Sequence, residues 1–356
     1  MTRQYTNLYP QVCAWENLEL AYRRARKGKR GRAPAANFER QLEDNLIGLQ
    51  HDLIKQTYRP GLYHSFYIHE PKRRLISAAP FRDRVVHHAL CNIIEPLFER
   101  TFIFDSYANR VGKGTHLALD RAQAFARRYR YALQLDIVQF FPSIDHARLR
   151  AALARTIGDE AVLNLCDVIL ASGEGVQADE YQVVYFPGDD LFAATRPRGL
   201  PIGNLTSQFW ANVYLNAFDQ FVKRELKCRA YLRFVDDFIL FDDDKSRLWD
   251  LRARLLDYLA GLRLTVHLER AHPRPVTEGL PFLGFTLYPD HRRLKAQKAL
   301  SFRRKFKQQV KALAAAQISL PDLHASVRGW INYAGYGNTW NLRRSILGSA
   351  VLVVEA

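Results

Sequence analysis

The sequence predicts an α+β fold in which a small antiparallel sheet carries acidic residues and long helices pack around it. Two runs of β-branched and aromatic residues, "ALQLDIVQFF" and "YLRFVDDFILF", are typical of strands and contain aspartates. Longer stretches between and after these runs repeat apolar residues at the spacing of one helix face. Because helices separate the strands, acidic residues that are distant in the sequence can meet on one sheet.

Length and composition indicate a large core and a polyanionic partner. The chain has 356 residues, 48% of them hydrophobic, and two or three subdomains are expected. Lys and Arg number 52 against 36 Asp and Glu, so the net charge of +16 favours nucleic acid as the partner. No apolar stretch is long enough for a membrane span and no secretory signal is present, which predicts a cytoplasmic protein. The widely spaced Cys13, Cys91, Cys166 and Cys228 predict neither disulfides nor a zinc ribbon.

A basic, helical N-terminal region is expected over residues 1–60. Its densest positive run, residues 23–36, contains Gly and Pro and is predicted to be a loop between helices. A loop of this kind is usually only a solvated face, but the net charge favours contact with nucleic acid. A helix is predicted after a cap at Asn37, from the spacing of Phe38, Leu42, Leu46, Leu49 and Leu53.

Two short strands and a cationic turn are predicted between Ser65 and Pro80. The turn falls at Pro71 and Lys72, so that Lys72, Arg73 and Arg74 lie at or near its tip. A tip with this charge can hold phosphate groups.

Two helices follow, the first interrupted or kinked near Pro96 and the second capped by Thr115. The run "VGKGTH" between them is not a Walker loop, because Gly114 follows Lys113 and no glycine stands five residues before Gly112. The sequence therefore does not support ATP hydrolysis.

A strand is predicted from Tyr131, with Asp136 inside it. Pro142 ends this strand, and Ser143 or Asp145 is expected to begin the next helix.

The rest of the chain is predicted to form a long helix, a hairpin, a further helix, one strand and a basic helical end. The long helix follows a glycine-containing loop and has Thr206 or Ser207 as its candidate cap. The hairpin covers Tyr231 to Phe241, and "GLPFLGFTLYP" is typical of a strand. A strongly basic, helical part begins at about His291. The helix after the hairpin has four leucines on one face, Leu248, Leu251, Leu255 and Leu259.

The adjacent carboxylates Asp236 and Asp237 allow two interpretations. Aspartates at a hairpin tip are most simply turn formers. However, the flanks offer no Gly or Asn for a favoured two-residue turn, and Asp136 also lies in an apolar strand where an unpaired charge is costly. A pair of Mg²⁺ ions would satisfy all three carboxylates and could support phosphoryl transfer, with Lys72 and Arg74 holding the outer phosphates.

The motifs also resemble a known family. "LQLDIVQFFPSID", "GLPIGNLTSQ", "YLRFVDDFILF" and "GLPFLGF" occur in the order of the palm motifs of reverse transcriptases. The resemblance covers most of the chain, from about Ser65 to Phe285, and implies a right-hand polymerase. Its fingers would be residues 61–130, its palm of antiparallel sheet and helices residues 131–290, and its helical basic thumb residues 291–356.

The resemblance implies a metal-dependent catalytic site. It makes Asp136 and Asp236 ligands of two Mg²⁺ ions, or of Mn²⁺ in their place, with the backbone carbonyl of Ile137 as a further ligand. Asp237 is then the second catalytic carboxylate of the motif. A lysine that the family carries after the catalytic hairpin has no clear counterpart; Arg270 lies nearest, and an always-charged arginine is a poor proton donor to pyrophosphate.

Further site residues follow from the same resemblance. Lys72 and Arg74 match fingers residues that contact the incoming deoxynucleoside triphosphate, and Leu283 with Gly284 matches the primer grip. Phe141 matches the bulky residue that excludes a ribose 2′-hydroxyl, which would restrict synthesis to DNA. The alternative for Phe141 is a core aromatic beside its neighbour Phe140.

The loop before the long helix refines the resemblance. Where enzymes of group II introns and retroviruses commonly carry Gln-Gly and then Ser-Pro, this chain has Ile202-Gly203 and Ser207-Gln208. "IGNLTSQ" looks like the variant of diversity-generating retroelements, whose enzymes copy a template-repeat RNA with errors opposite adenine and work with an accessory variability protein. Ile202, Gly203 and Gln208 would then contact the nucleotide, and an isoleucine can only pack where an amide could hydrogen-bond.

Other interpretations stay open at this stage. The nearest is another bacterial reverse transcriptase, serving phage defence or derived from a truncated group II intron. A non-polymerising, maturase-like RNA-binding module is disfavoured, because a pure binding surface has no need of carboxylates facing a polyanion. A nucleotide cyclase on a similar palm would not require the basic C-terminal helices.

Overall fold

The computed structural model describes residues 4–29, 31–69 and 72–349. Within these ranges helices and strands alternate around antiparallel sheets, which confirms the α+β fold class. The helices are α1 (Tyr9–Cys13), α2 (Trp15–Arg26), α3 (Ala33–Glu39), α4 (Leu42–Ile54), α5 (Phe81–Glu99), α6 (Thr115–Arg128), α7 (Phe140–Ser143), α8 (His146–Ala154), α9 (Glu160–Ser172), α10 (Leu205–Gln220), α11 (Lys245–Gly261), α12 (Ala296–Ala314), α13 (Leu320–Ala334) and α14 (Trp340–Leu347). The strands are β1 (His64–Ile68), β2 (Arg74–Ala78), β3 (Tyr131–Asp136), β4 (Tyr231–Phe234), β5 (Asp237–Asp242), β6 (Arg274–Pro275), β7 (Leu280–Phe282), β8 (Phe285–Leu287) and β9 (Arg292–Leu294).

The central sheet brings the two acidic runs together. Its strand order is β4-β5-β3-β6, and all neighbours are antiparallel. In this register Asp136, the last residue of β3, lies opposite Asp237, the first residue of β5. Because Asp237 also pairs with Phe234, only Val235 and Asp236 connect β4 to β5. The three aspartates therefore lie at one end of the sheet.

The largest hydrophobic core lies between this sheet and the helices around it. Residues 238–241 of β5 are all buried, as are Leu133 and Leu135 of β3, and α10 adds Trp210 and Phe218. A strand with a continuous apolar run is typical of a sheet that is covered on both faces. The aspartates at the strand ends consequently lie beside a buried apolar core.

The C-terminal helices have a small core of their own. The rings of Phe302 in α12 and Trp330 in α13 stack with their centroids 4.1 Å apart. The part of the chain after His291 was predicted to be helical from its start. Instead, Arg292–Leu294 first forms a strand that pairs with Phe285–Leu287, and the helices follow it. The run "GLPFLGFTLYP" is likewise two strands, β7 and β8, rather than one.

Several predicted element boundaries in the N-terminal part are wrong. The predicted loop in the basic run 23–36 does join two helices, but it is shorter than predicted, because α2 extends to Arg26 and α3 already begins at Ala33. Ala and Arg are strong helix formers, and a proline in the first turn of α3 suits a helix start. Asn37 lies inside α3 rather than capping the next helix, which begins at Leu42. Arg30 lies outside the described residues.

Of the remaining predicted helix caps, one is confirmed and two are wrong. The Asp145 side chain accepts a hydrogen bond from the backbone N–H of Arg148 and caps α8. Thr115 is the first residue of α6 and follows Gly114, whose φ of 121° favours glycine. Thr206 and Ser207 lie inside the first turn of α10, after Asn204. Helix α5 runs through Pro96 without interruption.

Two further features concern membrane spans and cysteines. In the described part of the chain no helix is both long and apolar enough to cross a membrane. All four cysteines are buried free thiols.

Candidate active site

The hairpin of β4 and β5 has an unusual turn. Val235, the first of its two turn residues, has a φ of 57°. This left-handed conformation is strained for a β-branched residue and is normally taken by glycine in such hairpins. The turn places Asp236 at the tip, beside the end of β3. The expectation that this turn lacks a favoured sequence is therefore matched by strain in its backbone.

Asp136 and Asp236 come together through the backbone as well as the sheet. The N–H of Ile137 donates a hydrogen bond of 3.2 Å to the carbonyl oxygen of Asp236. Burial, and then the charge of Asp136, raise the pKa of Asp236 to about 6. The charges of Arg74 and Lys72 act on the same carboxyl in the opposite direction. The structure thus brings two predicted fingers cations within electrostatic range of the hairpin tip.

Asp237, unlike Asp236, is hydrogen-bonded by a side-chain amide. Burial raises its pKa to about 7, and the charges of Asp136 and Asp236 add to this effect. The Gln134 amide opposes the shift, since its Nε2 donates to Oδ1 and Oδ2 of Asp237 at 2.9 and 3.2 Å. Arg274 in turn donates from Nη2 to Oε1 of Gln134 at 3.0 Å. Asp237 is therefore held by an amide.

Sequence reasoning missed Gln134, although a signal was present. Gln134 lies two residues before Asp136 on the same strand and so projects from the same face of the sheet. A polar residue at that spacing inside an apolar strand indicates a partner on that face.

The donor set at Asp136 and Asp236 fits a hard divalent cation. In the described ranges no group of three or more His, Cys, Asp or Glu side chains is arranged to hold a metal ion by itself. Mg²⁺, however, is commonly bound by one or two carboxylates together with substrate phosphates and water. Desolvation first, and then the charge of Asp136, raise the pKa of Asp236, and a bound cation would offset both effects because it favours the charged carboxylate.

The hairpin of β1 and β2 carries Lys72 and Arg74 at the predicted place. Lys72 and Arg74 are exposed, and Arg74 begins β2. Arg73 instead turns towards Tyr67, with its guanidinium carbon 3.9 Å from the ring centroid, and pairs with Glu180. Pro71, the other predicted turn residue, lies outside the described residues. Of the three cations, Lys72 and Arg74 are the two that act on Asp236.

The loop before α10 is hydrogen-bonded to strand β2. The carbonyl of Ile202 accepts a hydrogen bond of 2.8 Å from Ser77 N–H. Gly203 has a φ of 115°, and a Cβ there would lie 3.0 Å from Cγ2 of Ile76. Asn204 adds a bond of 2.8 Å from Nδ2 to the Ser77 carbonyl. This loop therefore has one position relative to β2, and Gln208 is exposed on the helix that follows.

The burial of Phe141 is compatible with both of its predicted roles, a core aromatic and a residue that contacts the sugar. Its side chain is half-buried and packs against the main core, whereas its neighbour Phe140 is buried. The two rings meet edge to face with centroids 5.6 Å apart. The Phe141 carbonyl accepts a bond of 2.9 Å from Leu200 N–H, so Phe141 lies beside the start of the 202–208 loop.

The predicted primer grip is the turn between β7 and β8. Leu283 and Gly284 both have positive φ, 46° and 90°, as a two-residue hairpin turn requires. The Tyr333 hydroxyl donates to the Leu283 carbonyl at 3.2 Å. A Cβ on Gly284 would lie 2.0 Å from that hydroxyl, so only glycine fits. The turn is thereby joined to α13.

Lys295 is a second residue that the sequence did not single out. Its N–H donates to the Gly284 carbonyl at 3.0 Å. Burial lowers the pKa of the Lys295 ammonium, the charge of Asp237 acts against this, and Lys72 and Arg270 add to the lowering. A lysine therefore does lie within electrostatic range of Asp237, but it is the residue before α12 and does not come from the chain directly after the hairpin.

The mixed α/β fold, with an acidic hairpin on its central sheet and basic helices after it, defines the class as a polymerase. The chain belongs to the reverse transcriptase family: the family model "Reverse transcriptase (RNA-dependent DNA polymerase)" matches residues 68–287. Its enzymatic class is accordingly that of an RNA-directed DNA polymerase. This result confirms the family resemblance of the motifs.

Curated relatives agree with this family. Protein YkfC of Escherichia coli (strain K12) is 25% identical over 293 residues, which cover 71% of this chain and 74% of YkfC. The group II intron-encoded protein LtrA of Lactococcus lactis subsp. cremoris is 25% identical over 229 residues, which cover 61% of this chain and 35% of LtrA. The chain therefore spans most of YkfC but about a third of LtrA.

Solved structures match this chain at low sequence identity. Truncated apo telomerase from Candida Tropicalis has a TM-score of 0.48 and 12% identity, covering 70% of this chain and 60% of that one. A chain of a partial Cas6-RT-Cas1–Cas2 complex has a TM-score of 0.39 and 18% identity, covering 71% of this chain and 41% of that one.

Proposed function

We propose that this reverse transcriptase copies the template-repeat RNA of a diversity-generating retroelement into cDNA, with errors opposite adenine. Its substrates would be deoxynucleoside triphosphates and an RNA template with its primer, and an accessory variability protein would be its protein partner. The observation that carries the retroelement role is the loop "IGNLTSQ", with Ile202 where related enzymes commonly have an amide. The fixed position of that loop against Ser77 supports a role beside the templating pair.

The proposed chemistry assigns a role to each site residue. Asp136, Asp236 and the Ile137 carbonyl would hold two Mg²⁺ ions, which supply Lewis-acid stabilisation of the attacking and leaving oxygens. Lys72 and Arg74 bind the outer phosphates, Arg74 through a planar fork and Lys72 as a point charge. Their action on the Asp236 carboxyl supports this assignment, because a phosphate bound between them would lie beside the metal ligands.

The remaining residues select and hold the substrates. Phe141 restricts the sugar to deoxyribose by occupying the space of a 2′-hydroxyl. Asp237 stays in its amide contact with Gln134 and adds negative charge beside the ligands. The turn of Leu283 and Gly284 holds the primer end.

The proposal also divides the chain into the subdomains of a right-hand polymerase. Residues 61–130 form the fingers, residues 131–290 the palm and residues 291–356 the thumb, after a basic N-terminal region of residues 1–60. The separate core of α12–α14 supports a thumb that can move as a unit.

The test is to sequence cDNA made by the purified protein on an RNA template that contains all four bases, with Mg²⁺. Reactions with and without a candidate accessory protein are compared. Errors concentrated opposite adenine are expected, and faithful cDNA would overturn the diversifying role. Asp236→Asn should abolish synthesis and leave RNA affinity intact, whereas Asp257→Asn, an exposed aspartate on α11, should do neither. Normal synthesis by Asp236→Asn would overturn the metal assignment.

A second candidate is a group II intron-type or phage-defence reverse transcriptase. The similarity to the group II intron-encoded protein LtrA favours the intron type. Faithful cDNA together with an inactive Asp236→Asn variant is the result this candidate predicts.

A further inference from the structure

The strained turn at Val235 needs a compensating contact. A non-glycine residue in the left-handed region costs about 1–3 kcal/mol and persists only when its surroundings determine it. Val235 is β-branched and has a φ of 57°, and it directly precedes Asp236. The surroundings that hold this turn therefore also hold the Asp236 carboxylate.

One side chain contacts the turn from the buried side of the sheet. Nη1 of Arg233 donates a hydrogen bond of 2.9 Å to the carbonyl oxygen of Val235. The same Nη1 donates to Oδ1 of Asn212 at 3.2 Å. Arg233 is fully buried, so solvent does not compete for these donors.

The guanidinium of Arg233 is itself fixed in place. Nε and Nη2 donate to Oδ1 and Oδ2 of Asp219 at 2.9 and 2.7 Å, and the side chains of both residues are completely buried. The Tyr231 hydroxyl donates to Oδ1 of Asp219 at 2.6 Å. A bidentate pair of this kind sets the plane of the guanidinium and leaves Nη1 pointing at the turn.

The backbone of Arg233 is also held. Its N–H donates to the Asp105 carbonyl at 2.9 Å, and its carbonyl accepts from Tyr107 N–H at 3.0 Å. Asn212 is anchored to the same segment, because its Nδ2 donates to the Ala108 carbonyl at 2.9 Å. The arginine consequently connects a rigid framework to a strained turn.

Stability alone does not account for this arrangement. A buried ion pair can often be replaced by apolar residues of similar volume at no loss of stability, because desolvating two charges offsets much of their attraction. We propose that Arg233 is a positioning residue: by holding the Val235 carbonyl it fixes the Asp236 carboxylate in the geometry for catalysis, and Asp219 and Asn212 orient its guanidinium. This inference rests on the proposed role of Asp236 as a metal ligand.

The test uses Arg233→Lys, which keeps the charge opposite Asp219 but loses the planar fork. Its matched control is Tyr231→Phe, which removes a hydrogen bond from the same Asp219 without contact to the turn. Four quantities are measured: hydrogen–deuterium exchange of residues 231–242, Mn²⁺ affinity by electron paramagnetic resonance, the single-turnover extension rate and template–primer affinity.

In Arg233→Lys we expect faster exchange at the turn, weaker Mn²⁺ binding and unchanged template–primer affinity. The extension rate should fall about 100-fold, as for a catalytic group displaced by an ångström. Tyr231→Phe should keep wild-type values in all four measurements. A loss of rate in Arg233→Lys that only follows its folded fraction, with normal exchange at the turn, would overturn the proposal.

A rescue experiment separates positioning from plain stability. Glycine adopts the left-handed conformation without strain, so Val235→Gly should restore much of the rate and Mn²⁺ affinity to Arg233→Lys. An arginine that only stabilised the core would not be rescued at the turn, and absence of rescue overturns the proposal. Should Arg233→Lys fail to fold, Asn212→Ser replaces it, with the same expected direction and the same rescue.

Failure of the proposed role of Arg233 can be distinguished from failure of the proposed function. An active Asp236→Asn variant would refute the metal assignment itself. An inactive Asp236→Asn variant beside an Arg233→Lys variant with wild-type rate and Mn²⁺ affinity would refute only the role of Arg233.

Discussion

Nε2 of Gln134 lies 2.9 and 3.2 Å from the two carboxylate oxygens of Asp237, and 3.0 Å from the carbonyl oxygen of Pro281. One amide therefore links the central sheet to β7, the strand that leads into the predicted primer grip. Asp237 is half-buried and desolvation raises its pKa to about 7, while the hydrogen bond from Gln134 acts against this shift by stabilising the charged carboxylate.

Gln134→Leu should lower the free energy of unfolding by about 1–3 kcal/mol, because it leaves the Asp237 carboxylate without its donor. The free energy is measured by urea denaturation at pH 8. Gln220→Leu is the matched control, since the Gln220 amide donates to a neutral backbone carbonyl, that of Thr101. The free energy of unfolding of the control should fall by less than that of Gln134→Leu, by about 1 kcal/mol.

A double-mutant cycle assigns the loss to the pair. Combining Gln134→Leu with Asp237→Asn should show a coupling of about 0.5–3 kcal/mol, as residues in direct contact do. Additive effects would mean that Gln134 stabilises the sheet without acting on Asp237.

Phe141→Ala should admit ribonucleoside triphosphates, because it removes the half-buried ring proposed to fill the space of a 2′-hydroxyl. The ratio of ribonucleotide to deoxyribonucleotide incorporation is measured by primer extension. Phe140→Leu, at the buried neighbouring ring, should reduce stability without changing this ratio. Unchanged sugar discrimination in Phe141→Ala, with a loss of stability, would make Phe141 a core residue.

Ile202→Gln should lower misincorporation opposite adenine, because a side-chain amide can hydrogen-bond near the templating pair where isoleucine can only pack. The backbone of this loop should stay in place, since the Ile202 carbonyl and not its side chain contacts Ser77. Sequencing of cDNA gives the error spectrum. Ile202→Leu keeps an apolar side chain and should retain the wild-type spectrum; equal spectra in all three proteins would separate this position from fidelity.

Sequence patterns were sufficient for the fold class, the family and the meeting of Asp136 with Asp236 and Asp237. Alternating element types and apolar runs carry that information locally. They do not carry the contacts of Gln134 or Lys295, whose partners lie far away in the sequence. Nor do they show that Gly284 is required by the approach of Tyr333 from α13. Such requirements arise only when separate elements pack together.

Helix starts were missed for a related reason. Asn204 precedes α10, but its side chain bonds to Ser77 in β2 and to Ala79 just after this strand instead of capping the helix. The Asn204 side chain thus makes a tertiary contact instead of the local hydrogen bond of a helix cap. The local sequence pattern does not show this contact, and it therefore favoured Thr206 or Ser207 as the cap.

His87 on α5 predicts how stability depends on pH. It is fully buried, and its Nδ1 has no hydrogen-bond partner among the described residues. Burial, and then the nearby charges of His88 and Arg84, lower the pKa of His87 from 6.5 to about 3. The folded protein therefore keeps His87 neutral at a pH where the unfolded chain binds a proton.

The contribution of His87 is present in full above pH 6.5 and is lost as pH falls towards 3, because the unfolded state gains the proton first. Between pH 6.5 and 5 the loss is about 2 kcal/mol, at about 1.4 kcal/mol per pH unit. His87→Leu, which keeps an apolar side chain in this place, should remove that part of the pH dependence. The exposed His324→Leu on α13 should leave it unchanged. Urea denaturation of the three proteins at pH 7 and pH 5 measures the difference, and parallel losses in wild type and His87→Leu would show that the folded protein accepts the proton at His87.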